Sequence, residues 1–148
     1  MLHPSPLPRY RGGSPIQNQI INGEKNSKVS IFIMNNEIDA GDIVAQENIS
    51  LEGSIHDIFS RIEEAGVRLT INLLDSGLNP AAQNHAEATY CKRRTPEDSE
   101  ITLEELSVSK ASYLYNKIRM LGDPYPNAFI RTVDGKRLLI KDAEIRDI

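Results

Sequence analysis

The residues of this chain best able to do chemistry gather near its start. His3 is followed by Pro4, Pro6 and Pro8, then by Arg9, Tyr10, Arg11 and the pair Gly12-Gly13. An imidazole ionises at about pH 6.5, so it can carry a proton near neutrality. Asp39, in the turn Ile38-Asp39-Ala40-Gly41-Asp42, is either a carboxylate that orients such a ring or an ordinary turn residue. Arg93 and Arg94, beside Lys92, are either solvated charge or a bidentate contact for a phosphate-bearing ligand. His56, on the polar face of a predicted helix, and His85, in a loop, read as structural or solvated.

These side chains need a frame. Prolines at alternate positions fix φ and keep the residues before them extended, so 4–8 should be a stiff, non-helical strap. Gly12 and Gly13 allow close backbone approach. Ser14-Pro15 reads as an N-cap with proline at the first helical position, which would set free N–H groups beside the strap and favour a nearby anion. Two blander readings of the strap are a loose N-terminal tail and a Pro-rich ligand for an SH3-type domain. The prolines stand two apart and never three, so no PxxP is present.

The rest of the chain supplies a modest set of elements. A short helix over 14–21 should stop at Asn22-Gly23, with 24–28 as loop. Residues 29–34 form a mostly apolar, β-branched run that reads as a buried strand, and 43–51 as a second strand. Ser54 and Asp57 cap the clearest helix, in which Ile55, Phe59, Ile62, Leu69 and Leu73 recur at helical spacing until Ser76-Gly77. Gly66 interrupts it, a cost of about 1 kcal/mol that close packing would justify. A long proline-punctuated connection over 79–98 holds Gln83. A second helix is expected over 107–121, stopped by Gly122-Asp123-Pro124, and a hairpin over 128–133 and 136–145 turns at Asp134-Gly135. The pattern is α/β but too short of strands for a complete parallel sheet.

Composition narrows the class. The chain has 148 residues, 39% hydrophobic, with a formal charge of −4, which suits one core and argues against a general nucleic-acid binder. Cys91 is the single cysteine, so neither an internal disulfide nor a Cys-rich metal site is available. With no apolar run of membrane-spanning length and no charged-then-apolar leader, the expectation is a cytoplasmic protein.

Two stretches in order, His3-Pro4-Ser5-Pro6-Leu7-Pro8-Arg9-Tyr10-Arg11-Gly12 and Ile38-Asp39-Ala40-Gly41-Asp42-Ile43, resemble the signature pair of the N10-formyltetrahydrofolate-dependent formyltransferases. The likeness continues through the helix at 54–76, Gln83, Ala88-Thr89-Tyr90 and Arg93-Arg94-Thr95-Pro96-Glu97-Asp98. That family uses an Asn, a His two positions later and the Asp of a D-x-G turn. The resemblance implies that His3 and Asp39 are catalytic and that the Asn position falls on Met1. It also implies that the family's preceding Rossmann-like strands and helices are missing and that the chain alone is impaired. Ser27-Lys28 departs from the family's usual Thr-Gly.

The expected fold is therefore the C-terminal part of a formyltransferase-type domain over 1–90, followed over 91–148 by a connection, a helix and a β-hairpin cap. The resemblance implies 10-formyltetrahydrofolate as formyl donor, held by Ser5, Leu7, Pro8, Asn36, Glu37 and Ile38. It assigns Arg9, Tyr10, Arg11, Gly12, Gln83 and Arg93 to the acceptor. The short ending, 114–121 with 123–129, is similar to that of compact sugar N-formyltransferases, so the expected acceptor is a nucleotide-linked amino sugar. Methionyl-tRNA is the alternative, and an inactive remnant or partner-binding module a third reading. No membrane is expected, tRNA enters only under the alternative, and a homo-oligomer is possible.

Overall fold

In a computed structural model, which describes residues 1–147, the proline strap is folded tightly into the body of the protein, which excludes the loose-tail reading. Leu2–His3 form a short strand, β1, and Arg11–Gly12 a second, β2. They are followed by helix α1 (Pro15–Ile21), strands β3 (Asn26–Phe32) and β4 (Ile43–Ser50), helix α2 (Ile55–Ser76) and strand β5 (Tyr90–Cys91). Helices α3 (Leu103–Val108) and α4 (Ala111–Arg119) lead to the hairpin β6 (Ala128–Arg131) and β7 (Arg137–Ile140). Ile148, the end of the expected second segment, lies outside the described residues.

The sheet is antiparallel in the order β1-β3-β4, with His3 opposite Ser30 and Ser30 opposite Gln46. β2 pairs in parallel with β5, Arg11 opposite Tyr90, which brings the connection back onto the strap. Ile55, Ile58, Ile62, Ala65 and Leu69 of α2 pack with Val29 and Ile49 of the sheet. Ile16 and Ile20 of α1 and Ile118, Met120 and Ala128 of the C-terminal segment join the same core. A Cβ at Gly66 would lie 2.6 Å from Leu2 Cδ1, so the expected close packing is against β1.

Four expectations change. Ser14 has φ 49 and makes no side-chain cap; its hydroxyl instead accepts from the Arg94 N–H at 3.1 Å, because tying down the connection uses the group the helix would have used. β3 begins at Asn26 rather than 29, since pairing to β4 draws the polar residues 26–28 into the ladder. The single helix expected over 107–121 is two, broken where Ser109 and Lys110 turn extended (ψ 146 and 150). The break folds α3 back so that Glu105 meets the buried Lys117 Nζ at 2.7 Å. The hairpin strands are shorter than 128–133 and 136–145, ending at Arg131 and starting at Arg137.

Candidate functional site

The strap places His3 by ordinary backbone chemistry. Ser5 is fully buried; its hydroxyl donates to the Arg9 carbonyl (2.8 Å), and its own carbonyl accepts from Ser30 Oγ (2.6 Å). Gln46 Nε2 donates to the Leu7 carbonyl (3.1 Å), and the Thr89 N–H donates to that of Pro8 (3.3 Å). Each bond satisfies a polar group that burial would otherwise penalise, which is why so irregular a segment holds one shape.

His3 is buried with its ring between two acceptors. Nε2 stands 2.9 Å from the carbonyl of Tyr10, which can only accept, so this nitrogen carries a hydrogen. Nδ1 faces Asp39 Oδ2 at 3.5 Å. Asp39 has φ 50, and its Oδ2 accepts from the Gly12 N–H at 2.8 Å. The two residues that the family resemblance singled out are thus brought together from β1 and from the turn after β3. An imidazole beside an oriented carboxylate can take up a proton, be stabilised while holding it, and release it.

The remaining expected residues divide. Asn36, Glu37 and Ile38 stand exposed at the tip of the loop that ends in Asp39. Arg9 Nη2 (2.6 Å) and the Tyr10 hydroxyl (2.9 Å) both donate to Glu24 Oε1; burial pushes the Tyr10 phenol up from its ordinary value, and the bond to Glu24 holds Arg9 above its own. Arg11 is 1% exposed and Gln83 5%, and their side chains meet each other rather than an open surface. Gly12 has φ 92, and a Cβ there would stand 2.6 Å from the Cys91 carbonyl. Arg93 is exposed, its backbone packed on Gly13.

A cleft with a volume of about 400 Å³ lies along the strap and α1, and neither His3 nor Asp39 lines it. Pro4 and Gly13, the neighbours of His3 and Gly12, line it together with Gln17, Phe59, Arg94 and Tyr125, and Arg93 stands at it too. Gln17 Nε2 and Arg94 Nε are both buried without a hydrogen-bond partner. Phe59 and Tyr125 pack 5.9 Å apart between ring centroids. Sequence reasoning did not single out Gln17, read Phe59 only as part of the apolar stripe of α2 and took Tyr125 only as part of the short ending. The available signal was Gln17 itself, a polar residue between Ile16 and Ile20 on a buried helix face. Among the described residues no cluster of three or more metal-ligating side chains gathers, and no helix is long and apolar enough to cross a membrane.

The formyl transferase family model matches residues 1–74, half of the 148. The methionyl-tRNA formyltransferase of Macrococcus caseolyticus is 35% identical over 99% of this chain and 47% of its own length. The solved methionyl-tRNA formyltransferase from Clostridium thermocellum superposes with a TM-score of 0.82 at 34% identity, covering 94% of this chain and 65% of that one. A 4-N formyltransferase from Francisella tularensis gives 0.78 at 23% identity, over 99% of this chain and 62% of that one, a likeness of fold. The chain spans about half the length of the curated relatives it matches.

Proposed function

This chain belongs to the formyl transferase family, and from that premise we propose that it carries the histidine–aspartate part of a site that moves a formyl group from 10-formyltetrahydrofolate to a primary amine. The observation that carries the reading is the contact of buried His3 with Asp39 at 3.5 Å. The free amine attacks the formyl carbon, a C–N bond forms, and the carbonyl electrons move onto oxygen. Collapse of that intermediate breaks the bond to N10, which leaves with a proton. His3 accepts the amine proton on Nδ1, the nitrogen without a hydrogen, and returns it to N10, while Asp39 beside that nitrogen balances the charge of the protonated ring. In the family pattern an Asn donor meets the oxyanion, a contact worth about 10²–10³ in rate. Met1 stands at that position and offers no side-chain donor.

The pterin of the donor would lie against the exposed loop of Asn36, Glu37 and Ile38, with Ser5, Leu7 and Pro8 shaping the wall behind it through the strap. We assign the acceptor to the neighbouring cleft and infer a nucleotide-linked amino sugar. Arg93 and Arg94 suit a diphosphate, the unpartnered Gln17 amide and Arg94 Nε suit the polar edges of a nucleotide, and Phe59 with Tyr125 suits a planar ring. Arg9, Tyr10, Arg11, Gly12 and Gln83, none of which lines that cleft, would act on the acceptor only indirectly, through the strap and the Asp39 turn. On the same reading we place the protein in the cytoplasm. A second reading, methionyl-tRNA as acceptor, is favoured by the sequence relatives.

The test is formyl transfer from 10-formyltetrahydrofolate to a nucleoside-diphosphate amino sugar and, separately, to methionyl-tRNA, each with the protein extended upstream through the family's Asn, as wild type and as His3→Ala; the 148 residues alone are expected to show little or no transfer. Formamide formation on the sugar, lost in His3→Ala, is expected. Transfer to methionyl-tRNA alone would replace the acceptor, and transfer to neither would overturn the reading.

A further inference from the structure

We infer that Gln83, with Arg11 behind it, is a positioning residue that holds Asp39 against His3. The mechanistic consequence rests on the formyl-transfer reading; the geometry stands without it. A residue with a Cβ enters the left-handed region, as Asp39 does at φ 50, only when its surroundings hold it there. Gln83 supplies that hold. Its Nε2 donates to the carbonyl of Asp39 at 2.9 Å and to that of Gly41 at 2.7 Å, bracketing the turn. Its Oε1 accepts from Arg11 Nη2 at 2.7 Å and Nε at 3.2 Å.

The carboxamide therefore has one usable orientation. A guanidinium only donates and a backbone carbonyl only accepts, so a flipped amide would face donors with donors and acceptors with acceptors. Arg11 is itself immobilised. Its backbone is paired to β5, its Nη1 donates to the Tyr90 hydroxyl at 2.9 Å, and its guanidinium lies 5.6 Å from the centre of the Tyr90 ring. Among the described residues it forms no ion pair, although it is buried. A fork of fixed donors is what this place uses, and a lysine's single rotating ammonium would not fix the amide in the same way. Arg11 and Gly12 thus grip Asp39 twice: Gly12 binds the carboxylate directly, and Arg11 acts on its backbone through Gln83.

Gln83→Glu separates the roles. A carboxylate still accepts from Arg11, now as an ion pair, but has no donor for the two carbonyls. The Gly12 amide proton, read by NMR, reports the Asp39 bond without any substrate. In Gln83→Glu its resonance should move upfield and its hydrogen exchange should rise about tenfold or more, while the amides of Val29 and Ile58 in the core keep their protection. In the formyl-transfer assay kcat should fall about 100-fold with KM nearly unchanged, because geometry and not affinity is lost. Should Gln83→Glu lose core protection, Gln83→Met, which removes both ends without adding charge, decides by the same amide. An unchanged Gly12 amide in a folded variant overturns the inference. Failure of the upstream-extended parent protein to transfer formyl groups would overturn the functional reading alone.

Discussion

At Gly41 a missing side chain matters more than most that are present. A Cβ there would come 1.7 Å from the Ile33 carbonyl oxygen, since the turn is closed by the Ile33 N–H donating to the Asp42 carbonyl at 2.9 Å. Asp39, two residues earlier, can face His3 only while that closure persists. Gly41→Ala should cost about 2 kcal/mol by forcing the strands apart. Gly135→Ala, at φ 77 with nothing within 4 Å of the added carbon, should cost only about 1 kcal/mol of backbone strain. Urea denaturation of the two variants measures the difference, and equal midpoints would refute the steric account. Arg9 and Tyr10 follow the same logic of local commitment: sharing the Glu24 carboxylate pins the strap to the segment after α1.

Among the elements, α2 holds the sheet in place and is started by one carboxylate. Asp57 Oδ2 accepts from the Ser54 N–H at 2.8 Å and its hydroxyl at 2.7 Å, and Ser54 Oγ accepts from the Asp57 N–H. The Ser54 hydroxyl and backbone bonds hold the Asp57 carboxyl below its ordinary value of 3.8. A carboxyl depressed by folding stabilises the native state fully above its unfolded value and loses that contribution as pH falls through the lower folded value. Asp98, whose carboxylate accepts from the Thr95 N–H, is depressed in the same direction and steadies the turn next to Arg94. Asp57→Asn should therefore lower Tm at neutral pH and converge on the parent in acid well below 3.8. Circular-dichroism melts across that range check it; a constant gap would show that the cap acts without its charge.

The whole molecule shares one core. Ile16, Val29 and Ile58 from the first part pack in the same cluster as Ile101, Ile118 and Met120 from the second. Residues 1–90 and 91–147 should accordingly melt in one transition, coincident by circular dichroism and tyrosine fluorescence, and two separated midpoints would contradict the shared core. Ile58 is fully buried in the first turn of α2. Ile58→Ala should remove about 3 kcal/mol and shift both probes together. The cleft that Pro4 and Gly13 line depends on this packing too, for Phe59 comes from α2 and Tyr125 from the segment after α4.

Much of this protein was legible in its residues alone. The proline strap, the capped α2 with its helical stripe and the strand starting at Ile43 follow from preferences that act over a few residues, whereas His3 and Asp39 were paired only through the family resemblance of the two stretches that carry them. Chain folding decided what depends on distant partners. Whether Ser14 caps α1 or holds Arg94 is settled 80 residues away. The polar residues 26–28 become strand only because β4 offers them a ladder. Helices α3 and α4 separate because Glu105 and Lys117 meet only across a fold. Arg11 and Gln83, 72 residues apart, have donors and acceptors that match only once β2 pairs with β5. Local sterics and periodicity are written in a sequence, whereas hydrogen-bond complementarity between remote side chains exists only after the backbone has closed.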